Sequence, residues 1–324
     1  MPEQSARCPA PQPASDGPYA ERLAAAREQL GRIAGLEVLV NEPMDQHTSL
    51  GVGGPIDLYV IPHTVDEVRR ALAVAHSCGL PLLVTGRGTN LLVRDGGYRG
   101  MVLHLGENFS GVVRDGNRIV AQSGATLAEV CASATDAGLT GLEFAAGIPG
   151  SIGGAAAMNA GTQSGQMADV IAGIEVIDET GEVVQCERGS LEFGYRQSCL
   201  RNRQCVALSV TLELRPGDPA RVRRLVLDGI AARCRRQPLS LGSAGSVFKR
   251  PPGDYAGRLL EAAGCKGLRI GGAVFSPKHA NFIVNEGSAT AEDVVALIEA
   301  ARRRVHDAFG VWLEEEICTV GEPP

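Results

Sequence analysis

The sequence predicts an α+β protein of two domains, and three observations carry that expectation. The chain has 324 residues, enough for two domains at roughly 100–200 residues each. Helical patterns and short β-branched runs follow one another without regular strand–helix–strand alternation. The sharpest internal punctuation is Pro216-Gly217-Asp218-Pro219, and a domain boundary is placed there. The expected division is a tail over residues 1–20, a first domain over 21–217 and a second over 218–324.

The elements follow in order. Met1 to Pro18 carries prolines at 2, 9, 11, 13 and 18 with almost nothing to bury, and reads as a disordered tail. Glu21–Ile33 places Leu23, Ala26, Leu30 and Ile33 on one helical face. Thr48 to Val60 reads as loop, glycine turn and strand. Thr64 and Glu67 have capping-box spacing for a helix running to about Cys78. A short strand, Pro81–Val84, feeds a glycine-rich loop. Gly100–Leu105, Arg118–Ser123, Ile171–Ile177, Val183–Gln185 and Val206–Leu214 read as strands of a mixed sheet, interrupted by a capped helix at Leu127–Ala137. Beyond the boundary come a basic helix, Arg221–Arg236, and strands near Gly245–Phe248 and Asn281–Val284. A helix at Ala291–Phe309 ends on Gly310, and a last strand, Val311–Val320, either stays in the second domain or returns to the first.

Composition excludes several classes of function. At 44% apolar and 21% charged residues, the chain is an ordinary globular protein. Its formal charge of -6 offers no basic stripe for nucleic acid or an anionic membrane. Arg233, Arg235 and Arg236 nevertheless form a local cluster suited to an anionic small substrate. The nine cysteines are odd in number and contain no CxxC pair, which argues against a disulfide framework or a zinc site and for a reducing cytosol. No apolar run reaches about 18 residues, and the N-terminus lacks the apolar core of a signal peptide. No metal is expected, no membrane insertion, and no protein partner is inferred.

Five segments could carry chemistry. Thr85, Gly86, Arg87, Gly88, Thr89, Asn90 and Leu91 follow a short strand, where consecutive small residues can aim backbone N–H groups at one anion. Alone this also reads as a strand-exit turn, and Leu91 in the final glycine position disfavours a Rossmann site. The run from Gly147 through Ile148, Pro149, Gly150, Ser151, Ile152, Gly153 and Gly154 to Asn159, Ala160 and Gly161 contains five glycines and four alanines. Ordering such a run costs conformational entropy, and a dinucleotide lying along its backbone would supply the compensation. Tyr195-Arg196 pairs an aromatic with a guanidinium able to grip a carboxylate or phosphate. Ser246, between Gly245 and Val247-Phe248, is placed for exposure in a pocket, but its surroundings are not a GxSxG elbow. In Leu313-Glu314-Glu315-Glu316-Ile317, strand alternation puts Glu314 and Glu316 on one face. His279 and Asn281 are further candidates to line a site.

The order and wording of these segments identify a relationship that none shows alone. HTSLGVGGPIDL, GRGTNLLVRDGGYRG, GLEFAAGIPGSIGGAAAMNAG, FGYRQS, SAGSVFKRP, AGRLLEAAGCKG, GGAVFSPKHANFIVN and GVWLEEEI span about four-fifths of the chain, from His47 to Ile317. Together they resemble the signature segments of the UDP-N-acetylenolpyruvoylglucosamine reductases. The compact spacing from Arg196 to Ser246 is similar to the shorter form of the family, without an inserted tyrosine loop. The resemblance implies an FAD-binding fold of the vanillyl-alcohol-oxidase (PCMH) type, followed by a smaller α+β substrate domain. It implies non-covalent FAD, NADPH as hydride donor, and reduction of UDP-N-acetylglucosamine enolpyruvate to UDP-N-acetylmuramate. Arg196 matches the family's carboxylate-binding arginine, Ser246 its proton donor and Glu316 its active-site glutamate. The resemblance also implies the two glycine-rich runs as the FAD site and Tyr195, Lys249, His279 and Asn281 as substrate contacts. Arg87 stands where the family usually has a small residue, Arg250 where it has Asn, and Gln163-Ser164 where it has an aromatic-Gly pair. The rival expectations are another flavin oxidoreductase of the same fold, acting on a sugar or hydroxy acid, and an inactive sugar-nucleotide-binding regulator.

Overall fold

The computed structural model describes residues 17–201 and 205–324. Most of the expected tail, residues 1–16, lies outside them, while residues 17–20 form the first turn of helix α1 (Gly17–Gly31). Strands β1 (Glu37–Pro43) and β2 (Pro55–Ile61), helix α2 (Val65–Ser77), and strands β3 (Leu82–Thr85), β4 (Leu91–Val93) and β5 (Tyr98–His104) follow. Their sheet runs β1-β2-β5-β3, with β1 antiparallel to β2 and the other pairs parallel. Alternation along β2 sends Leu58 and Val60 towards α1 and α2 and Tyr59 to the opposite core, and a register shift between Ile56 and Leu58 puts Ile56 in the core with Tyr59. Both faces are covered, so β2 is buried from Ile56 to Val60, with Asp57 its one charged residue.

A second unit contains β6 (Val112–Asp115), β7 (Arg118–Gln122), α3 (Leu127–Asp136), α4 (Ile152–Ala157), β8 (Ile171–Ile177), β9 (Val183–Glu187), β10 (Val206–Glu213) and α5 (Pro219–Arg236). Its sheet is antiparallel throughout, in the order β9-β8-β10-β7-β6. The expected capping box of α3 forms: Thr126 Oγ1 accepts from Glu129 N–H, and Glu129 accepts from Thr126 N–H. At α2 only half of the box forms, because Glu67 reaches past the N-cap to accept from His63 N–H at 2.7 Å. Helix α4 was not expected. Its residues, Ile-Gly-Gly-Ala-Ala-Ala, show no amphipathic period, and it forms because Ile152, Ala155 and Ala156 fit a tight core against β10.

The third unit is α6 (Ala256–Ala262), β11 (Arg269–Ile270), β12 (Ala273–Phe275), β13 (Ile283–Asn285), α7 (Ala291–Phe309) and β14 (Cys318–Val320). Its three-stranded sheet, β11-β12-β13, lies beneath α7, which buries Val294, Leu297, Ile298, Ala301 and Val305. The last strand is much shorter than expected. Residues 311–317 do not enter a ladder, because Glu314 and Glu316 instead exchange backbone hydrogen bonds with Lys249 and Val247. Strand β14 itself returns to the first unit, parallel to β4. Asp95 in the β4–β5 turn caps α7 by accepting from Ala291 and Glu292 N–H, both at 2.9 Å, and Arg94 holds Glu292 through two bonds of 2.7 and 2.8 Å. Among the described residues, no helix is long and apolar enough to cross a membrane.

Candidate active site

A cavity of about 3140 Å³ opens between the three units. It exceeds the roughly 300–1,000 Å³ of an ordinary small-molecule pocket, and can take a dinucleotide together with a second ligand. One wall is main chain. The loop from Thr85 to Leu91 and the run from Ile148 to Gly154 lie side by side along it: Gly150 lies against Thr89, and Gly86 against Ser151. Side chains are excluded by contact. A Cβ on Gly86 would lie 2.2 Å from Ser151 Oγ, one on Gly88 2.1 Å from His47 O, and one on Gly153 2.7 Å from Ser123 Cβ. Among the described residues, the N–H groups of Arg87, Gly88 and Thr89 find no acceptor, and Ser123 Oγ is buried on the same wall without a partner. Unpaired donors beside a surface that admits no Cβ fit the diphosphate of a dinucleotide. The residues present therefore suit FAD.

Another part of the lining is built from side chains. Gly194 and Gln197 exchange backbone hydrogen bonds of 3.0 and 3.3 Å, closing a tight turn with Tyr195 and Arg196 at its tip. Arg196 has a left-handed φ of 56°, a conformation that disfavours a bulky residue and is held only where surroundings over-determine it. They do: Asn159, buried with φ 41°, donates to Gly194 O at 2.8 Å and accepts from Ala168 N–H at 2.9 Å. Ser198, fully buried, donates to Ala157 O at 2.9 Å. The guanidinium so positioned donates from Nε to Glu316 Oε1 at 2.6 Å and from Nη2 to Gly161 O at 3.2 Å.

Glu316 and Ser246 belong to two segments that hold each other. Val247 N–H donates to Asn281 O at 2.9 Å, and Glu316 N–H donates to Val247 O at 2.8 Å. The Asn281 amide brackets Phe248, accepting from its N–H at 3.0 Å and donating to its carbonyl at 2.8 Å. Asn90 Nδ2 donates to Glu316 O at 3.0 Å, tying the first glycine-rich loop to the acidic segment. Gly245 supplies the left-handed turn, φ 77°, that brings Ser246 to the cavity wall. Lys249 pairs with Glu314 on the same wall. Burial pushes the Glu316 carboxyl above the usual range, while Arg196 and then Lys249 pull it down without cancelling that rise. Burial lowers the proton affinity of His279, whose ring lines the cavity and accepts from Asn281 N–H at 3.2 Å.

The structure thus brings Arg196, Ser246, Glu316, Tyr195, Lys249 and His279 to one cavity with Thr85–Leu91, Ile148–Ser151, Gly153, Gly154, Ala160 and Gly161. It does not bring three expected residues to the cavity. Gly147 turns behind the wall with φ 73°, and the amides of Asn159 and Asn281 are engaged in supporting the segments that carry Arg196 and Ser246. Ser123 was not foreseen. Its only signal was a small residue at the strand-to-helix turn Gln122-Ser123-Gly124-Ala125.

Comparison with known proteins agrees with this geometry. A family described as UDP-N-acetylenolpyruvoylglucosamine reductase, C-terminal domain, matches residues 237–320, and one described as FAD binding domain matches residues 56–187. The UDP-N-acetylenolpyruvoylglucosamine reductase of Alkaliphilus oremlandii is 44% identical over 285 residues, covering 88% of this chain and 94% of the relative. That of Moorella thermoacetica is 46% identical over 287 residues, covering 89% and 94%. The crystal structure of the Thermus caldophilus reductase superposes with a TM-score of 0.75 at 36% identity, covering 88% of this chain and 98% of that one.

Proposed function

The chain belongs to the UDP-N-acetylenolpyruvoylglucosamine reductase family, and from that premise we propose that Arg196, Ser246 and Glu316 carry its reaction. It is an FAD-dependent oxidoreductase of peptidoglycan precursor synthesis with an α+β FAD-binding fold. The observation supporting the residue assignment is the convergence of the three side chains, from segments 50 and 70 residues apart, on the cavity that the glycine-rich cradle also lines. Bound FAD supplies the hydride, drawn from NADPH, that reduces the enolpyruvyl double bond of the UDP-sugar.

What the chain's own residues do follows from the charge that the reaction creates. Hydride addition to an unsaturated carboxylate makes an enolate-like dianion, so a cation fixed beside that carboxylate favours the transition state over the ground state. The Arg196 guanidinium is fixed by the turn that presents it and by Gly161. The Ser246 hydroxyl donates the proton, since even a weak acid can protonate so basic a carbon. Glu316 helps to hold the substrate carboxylate. Its raised proton affinity rises further when a second carboxylate arrives beside it, and the neutral form then donates a hydrogen bond. Tyr195, Lys249 and His279 supply contacts to the remainder of the substrate from the same wall. Asn159, Asn281 and Asn90 act through the residues they position.

The location we propose is the cytoplasm, where a nucleotide-sugar precursor is made. Cell-wall growth, shape and division are the processes its product serves. The test is mass analysis of the product formed from NADPH and UDP-N-acetylglucosamine enolpyruvate in deuterium oxide. One non-exchanging deuteron gained at the carbon next to the carboxylate supports hydride addition followed by protonation, the step to which Ser246 is assigned. Return of the substrate unchanged, with NADPH consumed by oxygen, would support the oxidase alternative.

A further inference from the structure

The loop from His47 to Val52, between β1 and β2, is wedged between two parts of the site. On one side Ser49 N–H donates to Gly88 O at 3.2 Å, and His47 O occupies the space that a Cβ on Gly88 would need. On the other side lies the segment that leads to Ser246, where a Cβ on Gly242 would be 3.0 Å from Leu50 O and 3.2 Å from Ser49 O. The loop is anchored there without its serine side chain. Leu50 and Val52 are buried in the core of the third unit, and Asn285 Nδ2 donates to Leu50 O at 3.1 Å and to Gly51 O at 3.2 Å.

The Ser49 hydroxyl lies at the junction of the two parts. Its one proton goes to Ser243 O at 2.7 Å, while Gly88 O is 3.4 Å from the same oxygen. Ser243 stands three residues before Ser246, and both line the cavity together with Ser49 and Gly88. Between them the segment turns at Gly245, whose Cβ position is 3.9 Å from Thr89 O, and it is next fixed where Val247 N–H meets Asn281 O. Asn281 thus fixes Ser246 relative to the third unit, whereas Ser49 fixes it relative to the loop that suits FAD. Since the loop is already anchored by Leu50, Val52 and Asn285, the distinct effect of the Ser49 bond is on a distance. Proton delivery depends steeply on distance, and a displacement of about 1 Å can cost about 10²-fold in rate.

We propose that Ser49 is a positioning residue for the protonation step, holding the Ser246 segment at a set distance from the loop Thr85–Leu91. The proposal rests on the reading of Ser246 as proton donor. It divides the catalytic cycle in two: reduction of the flavin by NADPH takes a hydride and no proton from Ser246, so loss of the Ser49 hydroxyl bears on the second half alone.

The test uses purified holoenzyme carrying Ser49→Ala, Ser49→Thr or Ser246→Ala, followed anaerobically at the flavin band on addition of NADPH and then UDP-N-acetylglucosamine enolpyruvate. In Ser49→Ala, flavin content should be retained, bleaching should stay within about twofold of the parent, and recovery should slow by about 10-fold or more. Ser49→Thr keeps the hydroxyl and should recover within about threefold of the parent. Hydrogen–deuterium exchange gives a readout independent of turnover: amides over residues 242–248 should exchange faster in Ser49→Ala, with those of β12 and β13 unchanged. Recovery in Ser49→Ala within about twofold of the parent would overturn the proposal. Bleaching and recovery slowed alike would overturn it too, by making Ser49 a packing residue, as would Ser49→Thr recovering no faster than Ser49→Ala, or unchanged exchange. If Ser49→Ala does not fold, Ser49→Cys, a weaker donor of similar shape, replaces it under the same criteria. Recovery in Ser246→Ala equal to the parent's would sink the functional reading and this proposal with it. Slow recovery there beside parental recovery in Ser49→Ala would sink the proposal alone.

Discussion

The two walls of the cavity are made of different material. The cradle from Thr85 to Asn90 and from Ile148 to Gly154 presents backbone, with side chains excluded by contacts as close as 2.1 Å. The other wall presents three side chains, each held by a separate device: a strained turn for Arg196, a bracketed segment for Ser246, and a short backbone pairing for Glu316. A backbone wall is sensitive to added atoms and indifferent to which functional groups its neighbours carry. A side-chain wall is the reverse. The cofactor's diphosphate asks for many equivalent donors, whereas the reacting carbons ask for one acid, one cation and one hydrogen bond at defined points.

That contrast can be broken most forcefully on the side-chain wall. Ser246→Ala removes the proton donor without disturbing the cradle, so turnover should fall by about 10²- to 10⁴-fold with flavin content unchanged. Stopped-flow turnover alongside the flavin-to-protein absorbance ratio checks both halves of the expectation. Arg196→Met should lower turnover by about 10²- to 10³-fold, again with FAD retained. If either variant lost its flavin, the two walls would not be separable.

On the cradle the expectation is inverted. Gly88 combines φ 59° with a Cβ position 2.1 Å from His47 O, so Gly88→Ala must shift backbone against backbone. A loss of about 3 kcal/mol and depletion of bound flavin are expected in thermal unfolding and flavin assay, with Arg196, Ser246 and Glu316 intact. Full flavin content and an unchanged melting temperature would show that the loop is not confined as described.

Acid supplies a smaller probe of the cradle's support. His104, stacked on Tyr59 behind the Gly86 turn, is held by burial at a pKa of about 4. The unfolded chain takes up that proton near pH 6.5, so the folded state binds fewer protons between the two values and loses stability as pH falls through that window. His104→Phe keeps the stack and removes the titration. It should flatten the parent's decline between pH 6.5 and 4 by about 3 kcal/mol in denaturant melts. Parallel pH profiles would assign the acid sensitivity elsewhere.

The two walls also differed in how far they could be read from sequence. The cradle announced itself by composition, because five glycines and four alanines between Gly147 and Gly161 offer few large side chains to pack. Even there helix α4 was hidden, since its burial comes from tertiary fit and not from a helical period. The side-chain wall was legible only through resemblance. Nothing local distinguishes Ser246 from a structural serine or Glu316 from an edge glutamate. Their proximity is made by a chain that leaves the first unit after Tyr98–His104, builds the second and third, and returns through Cys318–Val320 to pair with Leu91–Val93. The supporting role of Asn159 and Asn281, expected from the sequence as ligand contacts, was hidden for the same reason. An amide that brackets Phe248 or anchors Gly194 has no sequence signature apart from its fold.

The central claim is that FAD bound in the cradle passes reducing equivalents to a substrate protonated from Ser246. Anaerobic absorbance at the flavin band tests it most directly, on addition of NADPH and then UDP-N-acetylglucosamine enolpyruvate, in the parent protein and in Ser246→Ala. The expected result is bleaching by NADPH in both proteins, prompt recovery on substrate in the parent, and recovery slowed by about 10²-fold or more in the variant. Equal recovery in the two proteins would contradict the role of Ser246, and a parent that bleaches but recovers only in air would contradict the assignment of the substrate.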